Sequence, residues 1–268
     1  MVRVFLDVGA HVGETLKPAL DPRYRFERIV CFEPVQACCA ILEKLADGRV
    51  EICRFGLWNE TSRLPIFGAG AIGATLFGDA GQRDPGEIVD LQRASDWFGQ
   101  HISEDDEVYL KLNCEGSECD ILDDLLDSGE IGKVTSILVD FDVRKIPALA
   151  HREREVRERL SGAGHSDLLC LKERYKGPTH TATVENWLHF AGARVMPPPA
   201  GWKWRYVWFP ALVRKTVGFG KGVARRLLPQ PAYERLRLGV QKIVYGYPPD
   251  ADLDLVFFPL ALAGAWVL

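Results

Sequence analysis

FLDVGAHVG, Phe5 to Gly13, is the stretch that decides the fold. The apolar run Val2–Val8 predicts a buried strand, Gly9 ends it, and Val12–Leu20 predicts the helix behind it. Strand, glycine turn and helix in that order make the ligand-facing corner of a doubly wound α/β sheet. Glycines at Gly9 and Gly13 allow backbone to approach a ligand with no Cβ in the way. A helix N-terminus adds N–H groups and the positive end of a dipole. The turn reads Gly9-Ala10-His11-Val12-Gly13, which is not the GxGxxG of a dinucleotide-binding corner.

Outward from this corner the same alternation repeats. Arg28–Phe32 reads as a second buried strand and Gln36–Ala46 as a helix with apolar residues at helical spacing. Val50–Phe55, Glu107–Leu112, Thr135–Phe141 and Asp167–Leu171 read as further strands. Ser117–Asp127 and the charge-dense 151–160 read as helices. Strands alternating with helices predict βαβ units and a mainly parallel sheet, a Rossmann-like doubly wound α/β fold over residues 1–195. Residues 60–106 fit the alternation poorly. They hold a predicted short hairpin at Arg63–Phe67 and the glycine-rich GAGAIGATLFG, read either as a segment contacting substrate or as a connector.

After Met196-Pro-Pro-Pro199 the composition changes, and 196–268 is read as a basic, Trp-rich C-terminal extension. Residues 201–250 carry ten Lys and Arg against Glu234 and Asp250. That stretch is therefore +8 in a chain of formal net charge −4, which leaves −12 for the rest. Trp202, Trp204, Tyr206 and Trp208 alternate with Lys203, Arg205 and Val207. This pattern suits either an edge strand with one aromatic face or peripheral membrane contact through 201–245. The acidic N-terminal part argues against nucleic acid as a partner. Leu255–Leu268 is too short to span a bilayer, and no leader is expected ahead of a strand whose Asp7 already belongs to a motif. Seven cysteines without a matching Cys/His set read as reduced thiols of a cytoplasmic protein, and under the membrane reading the basic tail lies at the inner membrane surface.

The ligand chemistry is read from three strand ends. Asp7 stands two residues before the first glycine, and a carboxylate there suits the cationic methionine end of S-adenosylmethionine (SAM), which needs no pyrophosphate cradle. Glu33, before Pro34 at the end of the second strand, is placed to accept hydrogen bonds from ribose hydroxyls. Leu110-Lys111-Leu112-Asn113-Cys114-Glu115-Gly116-Ser117-Glu118 sets polar groups at the end of the fourth predicted strand, beside the crevice. Lys111 is expected to pair with a nearby acid.

Together DVGAHVG, VCFEP and LKLNCEGSE resemble the FkbM-type family of SAM-dependent methyltransferases, over about residues 3–145. The resemblance implies a class I methyltransferase fold, SAM as cofactor, and Asp7, Gly9, Ala10, His11, Gly13, Glu33, Pro34 and Asn113 as its contacts. Two positions depart from the pattern. His11 stands where many SAM-binding loops have glycine. Asn113 stands where the family has aspartate, so it can hydrogen-bond a hydroxyl or the methionine end but cannot take a proton.

Methyl transfer to a hydroxyl gains from a general base. Asp140 and Asp142 in VDFDVRK, Glu115, and Asn113 as a hydrogen-bonding group are the candidate catalytic residues, and His11 in the glycine loop is a further candidate base that reads more readily as a loop hydrogen-bonder. The Asp140/Asp142 pair alone does not make a metal site, and none is expected. The resulting expectation is O-methylation of a saccharide or secondary-metabolite hydroxyl. An NAD(P)-dependent oxidoreductase and a non-catalytic membrane-associated binding module are the alternatives.

Overall fold

The computed structural model describes residues 1–69, 74–77, 85–177, 179–191 and 193. The extension 196–268, its Trp/basic stretch and the boundary ahead of it lie outside the described residues, as do residues 70–73 and 78 of the glycine-rich loop. Residues Met1–Lys176 with the chain from Thr183 form one compact unit. The second unit, Gly177–Ala182 and Pro198–Leu268, falls almost wholly outside the described residues.

The first unit is built on six parallel strands. They are β1 (Arg3–Val8), β2 (Arg28–Phe32), β3 (Val50–Cys53), β7 (Glu107–Leu112), β8 (Val134–Val139) and β9 (Leu169–Leu171), in the spatial order β3-β2-β1-β7-β8-β9. The order reverses at β1, which pairs with β2 on one side and β7 on the other, so the switch point lies between β1 and β7. Alternate residues of each strand feed two cores. Val4, Leu6 and Val8 of β1 with Val108, Leu110 and Leu112 of β7 meet α3 (Ala94–His101), α4 (Glu118–Ser128) and α5 (Arg152–Gly162). Phe5 and Tyr109 meet α1 (Leu16–Leu20), α2 (Gln36–Leu45) and α7 (His180–Phe190) through Leu16, Leu42 and Trp187. Burial on both faces is why these strands read as nearly continuous apolar runs.

Three features differ from the sequence reading. First, α1 starts at Leu16 rather than Val12 and lasts five residues. The loop ahead of it turns tightly, with positive φ at Gly9, His11 and Gly13 and a Gly13 N–H donating to the Ala10 carbonyl. Second, Arg63–Phe67 is not half of a short hairpin. It lies in β5 (Ser62–Phe67), antiparallel to β6 (Pro85–Arg93), which pairs in parallel with β4 (Gly56–Trp58) in a separate three-stranded sheet. Third, α3, the short α6 (Lys172–Tyr175) and α7 fall where no helix is read from the sequence. Trp187 of α7 is fully buried, and its indole N–H donates to Ser136 Oγ at 2.9 Å, tying the helix to β8. Among the described residues all seven cysteines are free thiols, five of them buried. No described helix is long and apolar enough to cross a membrane.

Candidate functional site at the β1 and β7 ends

The glycine corner is held by contacts that leave no room for another residue at Gly9. A Cβ there would sit 2.0 Å from the Asn113 carbonyl oxygen, at a φ of +76°. The β1 and β7 loops are therefore pressed backbone to backbone at the switch point. Gly13 serves the other side, where a Cβ would meet Leu45 and Leu42 of α2 at 2.9 and 3.1 Å.

Asp7 and Lys111 face each other in register on neighbouring strands. The Lys111 ammonium lies 2.8 Å from Asp7 Oδ1 and donates to the carbonyls of Gly9 (2.7 Å) and Val8 (3.3 Å), while Thr15 Oγ1 donates to Asp7 Oδ2. Burial alone would lower the Lys111 proton affinity; the Asp7 charge outweighs it and holds the lysine above its ordinary value. Asp7 is wholly inaccessible. Both of its oxygens face partners inside the fold, Lys111 and Thr15, which gives it a supporting role in this structure. Its carboxylate neutralises Lys111, and Lys111 fastens the first glycine of the loop from beneath.

The loop N–H groups also differ from expectation. Those of Gly9 and Ala10 donate to the Phe32 carbonyl at 3.1 and 3.2 Å, and that of His11 to Glu33 Oε2 at 2.8 Å. With α1 only five residues long and beginning later, the helix-dipole cradle read from the sequence is replaced by a loop stitched to the end of β2. Glu33 is the knot. Its other oxygen accepts the Val35 N–H at 3.0 Å, past Pro34, and it is buried to 6% exposure. Burial lifts its proton affinity above the carboxylate norm although both N–H donors oppose this. A carboxylate has about four acceptor positions, so two donors leave two for hydroxyls. His11, partly exposed, turns its Nδ1 to Glu14 at 2.9 Å.

At the end of β7, Asn113 Oδ1 is buried and has no donor among the described residues. The chain then turns through Glu115 (φ +51°) and Gly116 (φ +117°) into α4. The fully buried Glu118 gathers this turn by accepting the N–H groups of Cys114 (3.0 Å) and Gly116 (3.1 Å). Burial pushes its pKa up to about 7 against the pull of those two donors. Thr75 donates to the Glu115 carbonyl at 2.7 Å, and a Cβ at Gly116 would meet the Phe77 ring at 2.9 Å. The described end of the glycine-rich segment therefore lies on the β7 turn.

Beyond β8 the acids sort themselves. Asp140 is paired with Lys172 of α6. Asp142, in a helical turn (Asp142–Lys145), is 6% exposed and stands beside Glu115, with the Lys145 ammonium between them. The Lys145 ammonium lies 2.8 Å from Glu115 Oε2 and 3.0 Å from Asp142 Oδ1. Burial, then the charges of Asp140 and Glu115, push the Asp142 pKa up to about 7, with Lys145 opposing. Among the described residues no three His, Cys, Asp or Glu side chains are grouped to hold a metal ion.

The structure thus gathers Gly9, Ala10, His11, Gly13, Glu33, Pro34 and Asn113 around the β2, β1 and β7 ends, and Glu115 with Asp142 and Asp140 at the β7 and β8 ends. Sequence reasoning missed Thr15, Thr75, Lys145 and Lys172. Only Lys145 left a signal, since it stands three residues after Asp142, one turn away.

Comparison with known proteins adds little. No family model matches the chain, and no curated protein matches it significantly. Among solved structures it is similar to the methyltransferase FkbM from Methylobacillus flagellatus KT, at 19% identity and a TM-score of 0.40. The match covers 59% of this chain and 37% of that one, so the chain spans well under half of its neighbour's length.

Proposed function

We propose that this chain is a SAM-dependent methyltransferase that methylates a hydroxyl of a saccharide or secondary-metabolite acceptor. The observation that carries the reading is a pair of acceptors beside the close backbone contact at the switch point. They are the Glu33 carboxylate at the β2 end and the buried, donor-less Asn113 Oδ1 at the β7 end. These groups suit a ligand that donates hydrogen bonds at both ends, ribose hydroxyls to Glu33 and an ammonium to Asn113. When bound, SAM supplies a methyl group activated by its positive sulfur.

The chain's own residues then hold, orient and deprotonate. Asp7, Lys111 and Thr15 fix the Gly9 carbonyl so that the corner is formed before a ligand arrives, which lowers the ordering cost of binding. Glu118 and Thr75 hold the β7 turn, and with it Asn113 and Glu115, in one geometry. A carboxylate at the β7 and β8 ends takes the acceptor's proton.

Isothermal calorimetry with S-adenosylhomocysteine on the full chain tests the cofactor assignment. One-to-one binding is expected, weakened at least about tenfold in Glu33→Ala through loss of two charge-assisted hydrogen bonds. Absence of binding, or binding indifferent to Glu33→Ala, removes the reading.

A further inference from the structure

The sequence leaves four residues in contention at the reacting end, and the structure separates them. We propose that Asp142, joined to Glu115 through the Lys145 ammonium, takes the proton of the acceptor hydroxyl, with Lys145 as the positioning residue and Asp140 outside the chemistry. The inference rests on the methyl-transfer reading above.

Asn113 has no proton-accepting side chain at neutral pH. Asp140 has Lys172 of α6 as its own partner, whereas Asp142 and Glu115 share a single ammonium. Asp142 and Glu115 come from different strand ends and are brought together by one ammonium, 2.8 Å from one and 3.0 Å from the other. The groups facing Asp142 are Asp140 and Lys145 from its own segment, and Glu115 and Cys114 from the β7 turn. Lys172 reaches it only through Asp140. With two acids and one lysine closest to it, Asp142 has the burial and like-charge surroundings that bring a carboxyl near neutrality, where proton transfer is most effective. In the step, the acceptor O–H bond breaks and its proton passes to Asp142. The acceptor oxygen bonds the methyl carbon, and the carbon–sulfur bond breaks with its electron pair left on sulfur. Charge balances, since the positive sulfur becomes neutral and the carboxylate becomes a carboxyl.

The test needs no acceptor. Sinefungin carries an amine where SAM carries its methyl group, so a carboxylate poised there pairs with it, whereas S-adenosylhomocysteine offers nothing. Calorimetry of both ligands with the full chain, from pH 5.5 to 8.5, gives the ratio of their affinities. Above pH 7 sinefungin is expected to bind about tenfold more tightly, as one charge-assisted pair would give. The advantage should fade as pH falls through about 7 and Asp142 takes up its proton. Asp142→Asn should remove the advantage while S-adenosylhomocysteine still binds, which also shows that the variant is folded. Lys145→Met should move the midpoint to higher pH, and Lys145→Arg should restore it. Asp140→Asn should keep the advantage and move the midpoint lower, since a like charge is gone. A sinefungin preference that survives in Asp142→Asn overturns the assignment and leaves the cofactor reading standing, and its loss in Glu115→Gln instead would give the role to Glu115. If wild type binds neither ligand, the cofactor reading falls and this inference with it.

Discussion

Replacing Gly9 with alanine isolates what the switch point demands, because Gly129 supplies a matched control. Both glycines have a left-handed φ, +76° and +81°, so an alanine at either pays the same conformational penalty of about 1–2 kcal/mol. They differ in space. Around Gly129 an added Cβ meets nothing within 4 Å; at Gly9 it meets a backbone carbonyl oxygen at 2.0 Å and its carbon at 2.9 Å. Ordinary contact lies more than 3 Å away, so the β1 and β7 loops must separate by about 1 Å. Three hydrogen bonds cross that junction, from the Asn113 N–H to the Val8 carbonyl and from the Lys111 ammonium to the Val8 and Gly9 carbonyls. Losing two or three of these costs about 1–4 kcal/mol beyond the strain. Gly9→Ala should therefore destabilise by about 2–6 kcal/mol and Gly129→Ala by about 1–2 kcal/mol. Urea unfolding of the two variants beside wild type measures the difference, with equal m values showing that the same surface unfolds. If the two variants agree within about 0.5 kcal/mol, the backbone contact is not what requires glycine, and the argument from close approach is wrong.

Two further substitutions test the supports of the site. Lys111→Met should cost about 3–5 kcal/mol in denaturant unfolding because it strands Asp7 in the interior, and adding Asp7→Asn should recover part of the loss; a purely additive double mutant would show that the pair does not interact. Glu118 has a folded pKa of about 7, above its unfolded value, so the stability it contributes is complete below about pH 4.5 and is lost as pH rises through about 7. Stability measured from pH 4 to 8 should consequently fall less steeply in Glu118→Gln than in wild type, and an unchanged slope would remove Glu118 as the source.

Much of the site was legible because its ingredients are local. A glycine turn after an apolar strand, and a carboxylate at the next strand end, are set by residues adjacent in the chain, so Gly9, Gly13 and Glu33 could be picked out without neighbours. The tasks of these residues were less legible. Asp7 reads as a ligand contact because nothing in FLDVGAHVG says that Lys111, 104 residues on, will lie beside it in register. The short α1 follows from three positive φ values in a row of turns, which a helical spacing from Val12 does not reveal. Arg63–Phe67 has strand chemistry, yet its partner β6 comes after more than fifteen intervening residues, and strand partners are chosen by packing rather than by local pattern.

The sequence by itself therefore determined the doubly wound architecture, since burial on both faces of a parallel sheet leaves apolar runs that only such a sheet explains. It also singled out the β1, β2 and β7 ends as the candidate site. Only the tertiary structure decided which charged groups are spent inside the fold and which remain for chemistry. Lys111 neutralises Asp7, Lys172 neutralises Asp140, and Lys145 holds Glu115 and Asp142 together. The reason is electrostatic. A buried charge is set by whatever lies within a few ångströms, and those neighbours come from strands far apart in the chain.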